Sequence, residues 1–75
     1  MIIDARNLEL KELFVKLKEI LESKVGTDVF IEILIDPFTD VKKIKSFVSM
    51  SGCQTDVEEK GEYYIVRLTG TPCCV

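Results

Sequence analysis

The sequence predicts a two-layer α/β sandwich, an α+β fold with two helices on one face of a four-stranded mixed sheet, in the order βαβαββ. Three observations lead there. Two stretches place apolar residues at helical spacing, and each follows an apolar run fit for a strand. Gly26 and Gly52 stand where those helices must stop. The chain closes on "CQTDVE" and "YYIVRLT" joined by "EKGE", which is the pattern of a hairpin. A helix between the first two strands implies a right-handed crossover and so a parallel pair, to which the hairpin adds antiparallel pairing.

Each element has its own justification. "MIIDA" is short and apolar, fit for a first strand. Asn7 is a good N-cap for a first helix, in which Leu10, Leu13, Phe14, Leu17 and Leu21 share a face. Lys11, Glu12, Lys18, Glu19 and Glu22 take the opposite face. "TDVFIEILID" is rich in β-branched residues and ends at Asp36-Pro37. Thr39 or Asp40 caps a second helix with Val41, Ile44, Phe47, Val48 and Ser51 along one side. A hairpin turning about Lys60 and Gly61 pairs Val57 with Tyr64, Thr55 with Val66 and Cys53 with Leu68.

Parity assigns the faces. Val29, Ile31, Ile33 and Ile35 point one way and meet the helices, with Cys53, Thr55, Val57, Tyr64, Val66 and Leu68. Phe30, Leu34, Tyr63, Ile65 and Arg67 then share the uncovered face. An apolar group on that face, Phe30, Leu34, Tyr63 and Ile65, marks an expected interaction surface for a homodimer or another protein.

Composition narrows the function classes. At 75 residues the chain has room for one domain, placed over residues 1–70, with a tail over 71–75. Hydrophobic residues at 47% and charged residues at 31% describe a folded chain. No run approaches the ~18 apolar residues of a membrane span, and "MIIDARNLEL" lacks a basic region followed by an apolar one. The expected location is the cytoplasm, without a membrane partner, where thiols stay reduced. Net charge is −3 with only two arginines, Arg6 and Arg67, so no nucleic-acid partner is expected. "DVKKIKSF" alternates with apolar residues as a solvated helix face does. The sequence has no histidine, which removes Ser-His and Cys-His catalysis and imidazole metal sites. No cofactor or metal site is called for, and nothing marks an enzyme acting alone.

"DARNLELKEL" is similar to the opening of the TusA/SirA family of small sulfur-carrier proteins, whose pattern is D-x-R-G-L-x-C-P-x-P. "IDPFTDVKKIKSFV" resembles that family's strand-to-helix segment and "SGCQTDVEEKGEYYIVRL" its closing hairpin. The resemblance covers nearly all of residues 1–70 and implies the same βαβαββ order. In that family a cysteine at the helix start accepts a persulfide from a cysteine desulfurase and passes sulfur on, for instance toward tRNA thiolation or cofactor synthesis. A thiol there feels the unpaired amides and the positive end of the helix dipole, which favour thiolate. Asp4, Arg6 and Leu8 match the pattern, but Asn7 replaces the glycine, Leu10 the cysteine, and Lys11 and Leu13 the two prolines. Leucine carries no persulfide, so sulfur chemistry does not transfer to this helix.

The cysteines are Cys53, Cys73 and Cys74. Antiparallel pairing sends the end of the last strand to the edge where the third begins, so all three are expected at one rim, far from the family's usual site. Cys73 and Cys74 fit a thiol pair that carries sulfur or exchanges disulfides, with Cys53 as a thiol partner. A Cys53 disulfide to Cys73 or Cys74 is a second reading; a Cys73–Cys74 bond would be strained, with Cα atoms ~3.8 Å apart. Metal binding is a third, short of the four spaced ligands that zinc prefers. In the remaining reading Cys53 is a small buried hydrophobe and the tail is incidental. Asp4, Arg6, Asp36 and Asp40 are expected to converge where both helices begin, with Arg6 and one of these carboxylates, Asp36 in the first instance, as an ion pair fixing the loops.

Two functions are left. One is a TusA-like protein of sulfur trafficking or thiol relay that docks to protein partners such as a cysteine desulfurase or a sulfur acceptor, using the C-terminal cysteine pair. The other is a non-catalytic interaction or dimerisation module with a degenerate TusA-like site.

Overall fold

Six elements form in the expected order in the computed structural model, which describes residues 1–73: β1 (Ile2–Asp4), α1 (Leu10–Ser23), β2 (Val29–Ile35), α2 (Val41–Met50), β3 (Cys53–Glu59) and β4 (Tyr64–Gly70). The sheet order is β1-β2-β4-β3, with β1 parallel to β2 and the other neighbours antiparallel. Two helices and a four-stranded mixed sheet make the α+β fold. Among the described residues no helix is long and apolar enough to cross a membrane.

The core follows from two periodicities. Leu13, Leu17 and Leu21 recur every four residues on α1 and are fully covered, as are Ile44 and Val48 on α2. They meet Ile31, Ile33 and Ile35 of β2 and Val66 and Leu68 of β4, all at 2% exposure or less. Burying one such side chain is worth about 1.5–3 kcal/mol relative to leaving it in water. The face parity read from the strands is therefore the one the packing uses.

The first helix begins later than its sequence suggests. Asn7 is not the N-cap; it adopts a left-handed conformation at φ 71°, a turn that asparagine tolerates better than most side chains. Its N–H donates to Asp36 Oδ2 at 2.9 Å, and Leu8 N–H donates to Ala5 C=O at 3.2 Å, so residues 5–8 form a loop of their own. Glu9 then holds the cap position without a side-chain cap bond. The second helix is capped by Asp40, whose Oδ1 accepts from the N–H groups of Lys42 at 3.1 Å and Lys43 at 3.4 Å.

The closing hairpin has a longer loop than expected. Lys60 N–H donates to Tyr63 C=O at 2.9 Å, and Glu59 pairs with Tyr64. Val57 thus faces Val66, Thr55 faces Leu68 and Cys53 faces Gly70, each two residues further along β4 than a turn about Lys60 and Gly61 implies. A shift of two keeps every side chain on its face. Gly61, at φ 94°, fits a loop of either length.

Candidate functional site

Two regions carry chemistry-bearing residues, and they lie at opposite ends of the strands. At the first, both helices begin. Asn7, Leu8 and Leu10 border an open cleft of about 430 Å³ with Asp36, Asp40 and the ring of Phe38, which is 85% exposed. Leu10 is the first residue of α1 and stands where the family resemblance places a cysteine. No thiol lines this cleft among the described residues.

The ion pair expected between Arg6 and Asp36 forms instead between Arg6 and Asp4. Arg6 donates from Nε to Asp4 Oδ1 at 3.0 Å and from Nη2 to Asp4 Oδ2 at 2.9 Å, while its backbone N–H also bonds Oδ1 at 3.1 Å. Residues two apart on extended chain reach each other with little ordering, whereas Asp36 is taken up by the amide of Asn7. These hydrogen bonds lower the Asp4 carboxyl to a pKa of about 2 and raise that of Arg6. The guanidinium carbon also lies 5.5 Å from the ring centroid of Tyr63. Arg6 thus bonds Asp4 and lies over Tyr63, while Asp36 acts on it only through its charge.

The second region is the rim where β3 begins and β4 ends. Gly70, the last residue of β4, is flanked by Val29 on β2 and Cys53 on β3. Thr71 Oγ1 bonds Asp28 Oδ1 at 2.5 Å, and the buried Pro72 accepts at its carbonyl from Gly26 N–H at 3.1 Å. Cys73 N–H donates to Ser51 C=O at 3.1 Å. The tail is therefore stitched to the loops that follow both helices. Cys73 is exposed, and its Sγ lies over Gly52.

Cys53 and Cys73 share this rim in different environments. Cys53 is 6% exposed, a free thiol within the core cluster, and burial pushes its pKa up. A raised pKa leaves it a weak nucleophile at neutral pH. Cys74 lies outside the described residues. The anchoring of the tail by Pro72 was not read from the sequence; its only signal was that single proline.

The open sheet face differs from its expected character. Phe30 is 54% exposed, but Ile65 is only 9% exposed and offers little surface. It sits on an inner strand between Leu34 and Glu58, with Tyr63 and Arg67 beside it along the chain. Arg67 donates to Glu58 at 2.6 Å, and Lys60 pairs with the same carboxylate. Those hydrogen bonds, from Lys60 first and then Arg67, lower the Glu58 pKa, and the bond to Glu58 raises that of Arg67. Tyr63 and Leu34 are half-buried. Among the described residues no group of three acidic, thiol or imidazole side chains is placed to hold a metal ion.

The fold has a solved counterpart. The crystal structure of a SirA-like protein from Desulfitobacterium hafniense superposes with a TM-score of 0.79, covering 95% of this chain and 99% of that one. The chain has the SirA-like fold. Sequence identity over that match is 18%, so the likeness is one of fold alone. No protein-family model matches the chain, and no curated protein sequence does.

Proposed function

We propose that this protein is a small docking module of sulfur trafficking, related to the TusA-like carriers, whose working sulfur sits at the C-terminal rim instead of the helix start. The observation that carries the reading is the contrast at the two ends of the strands. Leu10 occupies the helix start, while Cys73 is exposed on a rim held by Pro72 and by the bond to Ser51. The SirA-like fold supports a sulfur-relay class.

The chemistry needs no oxidant. A Cys73 or Cys74 thiolate attacks the terminal sulfur of a persulfide on a desulfurase. The donor's S–S bond breaks, its cysteine leaves as thiolate, and the acceptor cysteine becomes the persulfide. The rim adjoins the carboxyl end of α2, and helix ends of that kind favour cations, so activation of the thiol falls to the partner. The test is incubation with a cysteine desulfurase and ³⁵S-cysteine. Wild type is expected to take up label that is lost in Cys73→Ser/Cys74→Ser; equal labelling of that variant rejects the reading.

A second reading is a non-catalytic interaction module, favoured by Ile2 at 70% and Phe30 at 54% exposure on the sheet face that no helix covers. Sedimentation of wild type against Phe30→Glu distinguishes it, since a dimer that dissociates in the variant supports assembly through that face.

A further inference from the structure

Charge is divided between the two layers of the fold. The chain as a whole carries −3. Its two helices hold Lys11, Lys16, Lys18, Lys42, Lys43 and Lys45 against only Glu12, Glu19 and Glu22, a balance of +3, so the remaining residues carry −6. Within this basic layer runs an apolar groove. Phe14 of α1 and Phe47 of α2 stack with centroids 4.9 Å apart and planes 9° from parallel, and they form its floor. Leu10 and Val15 border it on one side in a cleft of about 480 Å³, and the same two rings continue it toward Met50. Val15 is 53% and Met50 76% exposed. Lys11, Lys18 and Lys43 stand along the cleft, and no carboxylate lines it among the described residues.

We infer that this groove docks an acidic amphipathic helix of a partner protein. The recognition chemistry is specific in its parts. An aromatic floor with aliphatic sides accepts apolar side chains at i, i+3, i+4 and i+7. The lysines on both sides meet carboxylates on the flanks of that helix. On α1 the lining residues Lys11, Phe14, Val15 and Lys18 follow this same spacing, so the groove runs along the helix for about 10 Å, about two turns of a docked partner. The two phenyl faces are already stacked on each other, which leaves less ring surface for nucleic-acid bases. The groove is a shallow one lined by both helices, and its lysines stand on both of them, Lys11 and Lys18 on α1 and Lys43 on α2. The inference is independent of where sulfur is carried, because none of these residues is a cysteine.

The test uses a fluorescein-labelled synthetic peptide of about 15 residues with Leu and Phe at i, i+3, i+4 and i+7 and Glu elsewhere, beside a twin with Lys for Glu. At about 0.05 M salt the Glu peptide is expected to bind at least about 10-fold more tightly than its twin, and the preference shrinks at about 0.5 M as the charges are screened. Amide shifts are expected within 10–18 and 41–50. Lys11→Glu/Lys18→Glu/Lys43→Glu changes only exposed side chains; circular dichroism checks its fold, and its preference is expected to reverse. No preference between the peptides overturns the inference. So do shifts confined to the sheet, equal competition by anionic phospholipid vesicles or polyuridylate, or sedimentation showing the groove filled by a second copy of the chain.

Discussion

A Cβ added to Gly52 would stand 2.7 Å from the Sγ of Cys73, so the exposed sulfur lies in space that only glycine leaves open. Gly52 also has φ +83°, where a side chain is strained whatever its surroundings. The C-terminal stop of α2 and the seat of the candidate sulfur are thus one residue. Gly52→Ala is expected to lower stability by about 1–3 kcal/mol. In a domain of this size each kcal/mol corresponds to a fall of roughly 4–8 °C in Tm. The side chain of Cys73 must rotate away as well, changing its alkylation rate. Thermal denaturation read beside thiol labelling checks both effects; an unchanged Tm would refute the strain argument.

The two cysteines of the rim are expected to react in a fixed order. Cys53 is 6% exposed with its pKa raised by burial, whereas Cys73 is exposed. Under reducing conditions, in a Cys74→Ser background, iodoacetamide should label Cys73 first, and Cys53 only through local opening of the β3 edge. Peptide mass spectrometry reads the order directly. The same burial has a pH consequence. A raised folded-state pKa leaves the contribution of Cys53 to stability intact below its ordinary value of 9.0 and removes it as pH rises through the folded value. Cys53→Ala should flatten that alkaline loss.

Asp4 titrates at the opposite end of the scale. Its pKa is lowered from 3.8 to about 2, chiefly by the side-chain bond from Arg6. A depressed folded-state value stabilises the fold above pH 3.8 and loses that contribution as pH falls toward 2. Both side chains are exposed, so the stability effect is small and the titration is the better readout. Carboxyl ¹³C shifts of Asp4 should show a midpoint near 2 in wild type and one closer to 3.8 in Arg6→Gln. A midpoint unmoved by that substitution would assign the shift to something other than the Arg6 side chain, such as the backbone N–H of the same residue.

These residues also mark how far the sequence could be read. Strand faces were legible because alternation in "VFIEILI" and "YYIVRLT" has only two phases, and packing on the helices selects one. The hairpin register was not, because "EKGE" suits a two-residue turn or a four-residue loop and the two differ by an even shift. Which carboxylate Arg6 takes was not legible, because a local one two residues away competes with a distant one that the Asn7 amide has already engaged. The burial of Pro72 depends on the loops after both helices meeting at one rim, a tertiary fact with no periodic trace. Leu10 is the opposite case. The family resemblance places it at the helix start, where α1 does begin, and the departure it makes from a thiol-bearing pattern is a matter of residue identity alone.

The stacked pair Phe14 and Phe47 is expected to couple α1 to α2 by more than the apolar area it buries. Offset or stacked aromatic pairs contribute about 0.5–1.5 kcal/mol beyond burial. Phe14→Leu and Phe47→Leu keep most of the aliphatic volume while removing ring-to-ring contact, so each single change should cost only about 1–2 kcal/mol. The double variant should then be less destabilised than the sum of the singles, by the coupling just given, since the stack is lost with the first substitution. Urea denaturation of the four proteins closes the cycle. Strict additivity would mean that the rings merely fill space, and the floor of the groove would then be no more rigid than an aliphatic one. A measured coupling gives the helix pair a fixed spacing over Lys11, Lys18 and Lys43, which a docked acidic helix requires, because carboxylates placed by one rigid helix can meet lysines on two others only if those two hold their separation.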